Sequence, residues 1–136
     1  MNKRIFLLIA VFAALALLAS ACEFSVSTAN IANAYMSADS DGNTPTTTYA
    51  PDAVFYAIVD LANAPDDTEL RAEWFAVNAE GTEPNLFITE ASIQSGDDRI
   101  TFDLTNEAGF LWPNGSYRVD LYLNDELDRS LEFSVQ

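Results

Sequence analysis

The chain has 136 residues, a formal net charge of −15, no histidine and one cysteine. Without histidine there is no Ser-His-Asp or Cys-His nucleophile and no imidazole-bound zinc. A lone cysteine excludes an intrachain disulfide, and the excess of acid repels nucleic acid and anionic headgroups.

The N-terminus reads MNKRIFLLIAVFAALALLASAC. Lys3 and Arg4 precede an unbroken apolar run of fourteen residues, Ile5 to Leu18. That run is short for a bilayer span and suits the h-region of a secretory signal. Ala19, Ser20 and Ala21 are the small residues a signal peptidase needs, and Cys22 follows directly. Ala19-Ser20-Ala21-Cys22, with Leu18 one place early, resembles the lipobox of bacterial lipoproteins. The resemblance implies removal of residues 1–21, a diacylglycerol thioether on Cys22 and a further acyl chain such as palmitate. Membrane lipid would then hold the protein through Cys22, since two chains or more anchor stably where one does not. The alternative is an ordinary signal cleaved after Ala21, which leaves a free thiol, an odd feature in a secreted protein. The expected location is outside the cytoplasm, lipid-anchored to the cell membrane.

Residues 22–136 keep four arginines and no lysine against all 21 acids, a net charge of −17. Residues 22–48 are rich in Ser, Thr, Ala, Asn and Asp and read as a tether, with a first strand near residues 31–37 in IANAYMS. The domain proper is expected over residues 49–136. AVFYAIVDLAN is β-branched and aromatic, apolar on both faces, and bounded by Pro51 and the turn APDD. An apolar outer face suggests a contact, and the IANAYMS segment is the natural cover for it. ELRAEWFAV alternates, with Leu70, Ala72, Trp74 and Ala76 on one face and Arg71 and Glu73 on the other. LFITEASIQ is a weaker strand between the loop NAEGTEPN and the turn SGDD. RITFDLT, SYRVDLYL and LDRSLEFSV alternate in turn, with NEAGFLWPNG as a corner before the second of them.

Short strands separated by turn signals predict an all-β protein, a single antiparallel sandwich of about seven strands. Register constrains the final hairpin. A two-residue loop at Asn124-Asp125 would set Val119 against Ser130, turning an apolar face toward a polar one. A loop of about three or five residues pairs Leu123 with Leu127, Val119 with Leu131 and Tyr117 with Phe133.

Two features resemble immunoglobulin-like and fibronectin type III-like sandwiches. Trp74 sits where the core tryptophan of the third strand lies. Leu111-Trp112-Pro113-Asn114-Gly115-Ser116-Tyr117 is similar to the pattern Leu-x-Pro-x-Thr-x-Tyr, with Gly115 in place of Thr. The resemblance implies that Tyr117 forms a tyrosine corner, its hydroxyl bonded to backbone upstream, and that Leu111 plugs the core. Such a fold hosts many unrelated roles.

The only lysine leaves with the signal, no glycine-rich phosphate loop appears, and catalysis is not expected. Paired carboxylates, as in glycosidases, are the one enzymatic chemistry left open. No organic cofactor is implied. Calcium is the metal the acids would admit, with Asp39 and Asp41 in SADSDGN and Asp125 and Asp128 as candidate ligands. Turn residues that bond their own backbone are the plainer reading of all four. Trp112, Tyr122 and Phe75 are the aromatics expected at the surface and the candidates for stacking on a sugar. The function expected is a membrane-anchored, non-catalytic binding module of the envelope whose partner is a protein or a surface glycan.

Overall fold

The computed structural model describes residues 27–136. The expected signal sequence and Cys22 lie outside the described residues. Eight strands follow one another: β1 Asn30–Ser37, β2 Thr48–Tyr49, β3 Phe55–Ala62, β4 Thr68–Ala79, β5 Leu86–Ser95, β6 Arg99–Leu104, β7 Gly115–Leu123 and β8 Glu126–Val135. They form a three-stranded sheet in the order β1-β3-β6 and a five-stranded sheet in the order β2-β8-β7-β4-β5. Every pairing is antiparallel except the short β2–β8 ladder. The protein is all-β, an immunoglobulin-like sandwich.

Alternation places the core. Leu70, Ala72, Trp74 and Ala76 on β4 and Tyr117, Val119 and Leu121 on β7 are buried from one side. Phe55, Ala57, Val59 and Leu61 on β3 and Ile100, Phe102 and Leu104 on β6 meet them from the other. Phe133 sits at the centre, nearly parallel to Tyr117 at 5.5 Å and edge-on to Phe55 at 4.8 Å and Trp74 at 6.1 Å. Offset and tilted aromatic pairs of this kind add to their area burial. In the absence of a disulfide, this cluster ties the two sheets together.

β1 falls where a first strand was expected near residues 31–37. β1 pairs with β3 along its length, and residues 38–47 fold back onto it through Ala38 N–H to the Thr44 carbonyl at 2.9 Å and Thr46 N–H to the Met36 carbonyl at 3.0 Å. This turn, together with Tyr35 of β1, which pairs with Ile58, covers the outer apolar face of β3. Gly42 is buried against Ile58, and its carbonyl accepts the Tyr35 hydroxyl at 2.9 Å. Ile58 is fully buried as a result, so β3 presents no docking face.

The last hairpin differs from the expected loop. Asn124 and Asp125 form a two-residue turn with φ of 48° and 65°, the turn whose twist suits a hairpin. Leu123 pairs with Glu126 and Tyr122 with Leu127; a bulge at Asp128 then restores Val119 to Leu131 and Tyr117 to Phe133. The odd residue required by the apolar pattern lies in the strand and not in the loop.

Candidate functional site: the open side of the sandwich

Phe75 and Tyr122 do face outward, on the far side of the five-stranded sheet. Each ring is capped by a guanidinium: Arg118 stands 4.6 Å over Phe75 and Arg71 4.4 Å over Tyr122. Cross-strand register makes these pairs, since Phe75 lies opposite Arg118 and Arg71 opposite Tyr122. Each arginine is also held by carboxylates. Arg118 Nε donates to Asp120 at 2.8 Å, and Arg71 Nη1 bonds Asp125 at 2.5 Å with Glu69, Glu73 and Glu90 within 4 Å. The hydrogen bond that Arg71 donates to Asp125 raises the Arg71 pKa above its ordinary value. The ring faces a sugar would need are taken by these cations.

Trp112 and Leu111 exchange the places expected of them. Leu111 is 67% exposed and plugs nothing. Trp112 is half-buried, its indole N–H donating to the Ala53 carbonyl at 3.1 Å and its ring tilted over Phe55 at 5.0 Å. The Trp112 N–H on the backbone also bonds the Pro51 carbonyl at 2.8 Å. The tyrosine corner is present: Tyr117 is buried and its hydroxyl donates to the Pro113 carbonyl at 2.6 Å. Trp112, Phe75 and Tyr122 therefore occupy separate places, one at the corner and two on the outer sheet face, and form no common platform.

The exposed apolar surface lies elsewhere. β5 is the edge of the five-stranded sheet, and of its ten residues only Ile88 and Ser95 are even partly buried. Pairing with β4 sets Ile93 opposite Leu70, Ala91 opposite Ala72 and Leu86 opposite Ala76, all facing inward. On β4 those positions are covered by the opposite sheet. On β5 they are not, because the three-stranded sheet ends at β6. Leu86 is 42% and Ile93 43% exposed. Phe87 points to the other face, edge-on to Phe75 at 5.6 Å. Across from Leu86 and Ile88 the β6–β7 loop presents Phe110 and Leu111, and the two walls enclose a groove of about 320 Å³ with Trp112 and Pro113 at its base. Two sequence signals mark this groove in hindsight. LFI is an apolar run that ignores alternation, and GFLWP sets three large apolar residues in a loop.

The opposite side of the sandwich is bridged but not sealed, with a pocket of about 520 Å³ between β1, residues 45–47 and β8. There β2 joins β8, and Arg129 on β8 donates to the Ile31 carbonyl of β1 at 2.7 Å, bridging the sheets.

The proposed calcium ligands are occupied or dispersed. Asp39 closes its own turn: Oδ1 accepts the Thr44 N–H at 2.7 Å and the Ser37 hydroxyl at 2.9 Å, and Oδ2 the Asn43 N–H at 3.1 Å. Burial pushes its pKa up, but these hydrogen bonds outweigh burial and hold it below 3.8. Asp125 bonds Arg71, Asp128 bonds Arg129 at 2.7 Å, and Asp41 is exposed within the turn. Among the described residues no three acids converge as a metal-holding group.

No family model and no curated protein matches the chain. Solved structures do resemble it in fold. An immunoglobulin-like protein of Pseudomonas aeruginosa superposes with a TM-score of 0.53 at 14% identity, over 82% of this chain and 99% of that one. A domain within the alkylpurine DNA glycosylase AlkC of Pseudomonas fluorescens, solved bound to DNA, gives 0.52 at 15% identity over 79% of this chain. This chain spans only 30% of that glycosylase. These likenesses define the class, an immunoglobulin-like β-sandwich, and at such identity they speak for the fold alone.

Proposed function

We propose that the protein is a non-catalytic interaction module of the bacterial envelope, held to the membrane by lipid on Cys22 and presenting its sandwich to a protein partner. The observation that carries this reading is the open side of the fold. A ten-residue edge strand with an uncovered apolar inner face, next to the exposed loop residues Phe110 and Leu111, is the kind of surface that marks a contact site. The signal and the Ala19-Ser20-Ala21-Cys22 stretch support the anchor.

The anchor is tested by metabolic labelling with an alkyne palmitate. The expected outcome is label on the wild-type chain and none on Cys22→Ser, with the variant released from the membrane. Label that survives the substitution would sink the lipobox reading. The partner is sought by photo-cross-linking in intact cells from Phe110.

No observation favours the sugar reading, because its candidate rings are covered or packed. Calcium enters this proposal only as a stabiliser of acidic turns. The capped geometry of Asp39 leads us to expect a melting temperature that millimolar calcium leaves unchanged.

A further inference from the structure

We propose that the uncovered side between the free edge of β6 and the inner face of β5, with the Phe110–Leu111 groove at one end of it, takes an extended, cationic segment of a partner protein, which adds a strand to β6 and lays alternate apolar side chains over the inner face of β5. This rests on the interaction-module reading and names the surface and the chemistry of the occupant.

The shape comes first. β6 is a sheet edge six residues long, about 20 Å at the usual rise per residue. A strand added there is the next member of the three-stranded sheet and lies directly above β5. Leu86, Ile88 and Ile93 would then face a layer, as Leu70 and Trp74 already do on β4. Strand addition of this kind gains backbone hydrogen bonds for affinity and side-chain pockets for specificity. The β6 edge carries no lysine and no proline, and its charges are Arg99 and Asp103.

Charge selects the occupant. The β5–β6 turn carries Asp97 and Asp98, which accept the Ala64 and Arg99 N–H groups, and the loops at the other end of these strands carry Glu83 and Glu107; all four are exposed and none is in an ion pair. Among the described residues the four arginines are each paired with a carboxylate, Arg99 beside the groove with Asp60 at 2.7 Å. The rim offers anionic sites and no competing cation. A second copy would bring the same acids against these and is disfavoured. The N-terminal part of this chain enters at β1, the far edge of the sheet from β6. A strand with apolar residues alternating with lysine or arginine satisfies both the face and the rim.

The probe is the peptide Lys-Val-Lys-Val-Lys-Val-Lys, acetylated and amidated, titrated at physiological ionic strength into the chain from residue 22 onward carrying Cys22→Ser. The expected result is saturable binding with amide shifts and slowed exchange over residues 99–104. Binding should weaken tenfold or more in Leu86→Ser/Ile93→Ser, which leaves the charge unchanged and alters only exposed side chains. It should also be lost when the central valine is proline. Equal affinity for the serine variant, or shifts spread over the whole acidic surface, would mean nonspecific attraction and overturn the proposal. So would dimerisation of the free protein through this face, or tenfold tighter binding once residues 22–26 are removed, which would name this chain as the occupant. In cells, partner adducts from Leu127 with none from Phe110 overturn the groove and leave the interaction module standing. No adducts from either position overturn both.

Discussion

At the scale of single residues, the corner before β7 shows how neighbouring side chains divide their roles. Trp112 and Leu111 are adjacent, yet one is packed and the other exposed. The indole satisfies its N–H on Ala53 and fills the end of the sandwich against Phe55 and Tyr117. Leucine has no polar handle and can stand at the mouth of the groove. Trp112→Ala is expected to cost about 2–4 kcal/mol, a little below a fully buried tryptophan, read as a drop in the denaturant midpoint. Leu111→Ala should change stability by less than about 0.5 kcal/mol. The reverse ranking would mean that Leu111 is the plug after all.

Tyr49 gives a pH-dependent counterpart. Burial pushes its phenol up to about 12, while its hydroxyl donates to the Ser37 carbonyl at 2.7 Å. The folded value exceeds the unfolded value of 10.0. Its contribution is therefore complete below pH 10 and is lost as pH rises toward 12. Tyr49→Phe should lower stability at neutral pH by about 1 kcal/mol and flatten the alkaline decline. An unchanged slope between pH 10 and 12 in the variant would place that decline on other groups.

At the scale of elements, bulges reconcile strand length with strand facing. A bulge at Val77 on β4 lets Asn78 pair with Ser116 and Ala79 with Gly115. The backbone of β4 then presses on Gly115, which has φ of 149°. A Cβ there would collide with the Asn78 carbonyl oxygen and the Ala79 Cα. Glycine replaces threonine in the corner pattern for this reason. Gly115→Ala is expected to destabilise by more than about 2 kcal/mol, since backbone and not a flexible side chain must move. Thermal unfolding of the variant checks it, and a shift under about 2 °C would show that the bulge yields freely. The same logic governs β7–β8, where the bulge at Asp128 admits the tight Asn124-Asp125 turn. Counting apolar positions detected the odd residue. It did not say whether loop or strand would hold it, because both solutions give the same pairing beyond the bulge.

At the scale of the whole molecule, repulsion among carboxylates is the dominant electrostatic fact. All four arginines of the described residues are bound in ion pairs, and most of the acids have no such partner. Salt weakens exposed pairs and repulsion alike, but repulsion is the larger sum here. Raising sodium chloride from 10 mM to 0.5 M should increase the melting temperature by about 5 °C, the equivalent of roughly 1 kcal/mol for a domain of this size. A fall in melting temperature would show that the few ion pairs outweigh the repulsion. The Asp60–Arg99 pair sets a floor in acid: the hydrogen bond from Arg99 lowers the Asp60 pKa below 3.8, so its contribution is present above that value and fades as pH falls through the lowered one.

The chain alone determined the class of the fold and most of its elements. Alternation is a local property, and Leu70 to Ala76 or Ile100 to Leu104 declare their buried faces without any partner in view. Trp74 and Tyr117 were readable for the same reason. The absence of histidine and the excess of acid were direct counts. Only the tertiary structure decided which apolar residues stay uncovered. The outer face of β3, for which IANAYMS was the natural cover, is closed by Tyr35 and the turn at Gly42 together, while β5 looked weak and is left bare because the opposing sheet stops one strand short. Coverage depends on what another part of the chain places overhead, and a pattern within one strand carries no record of that.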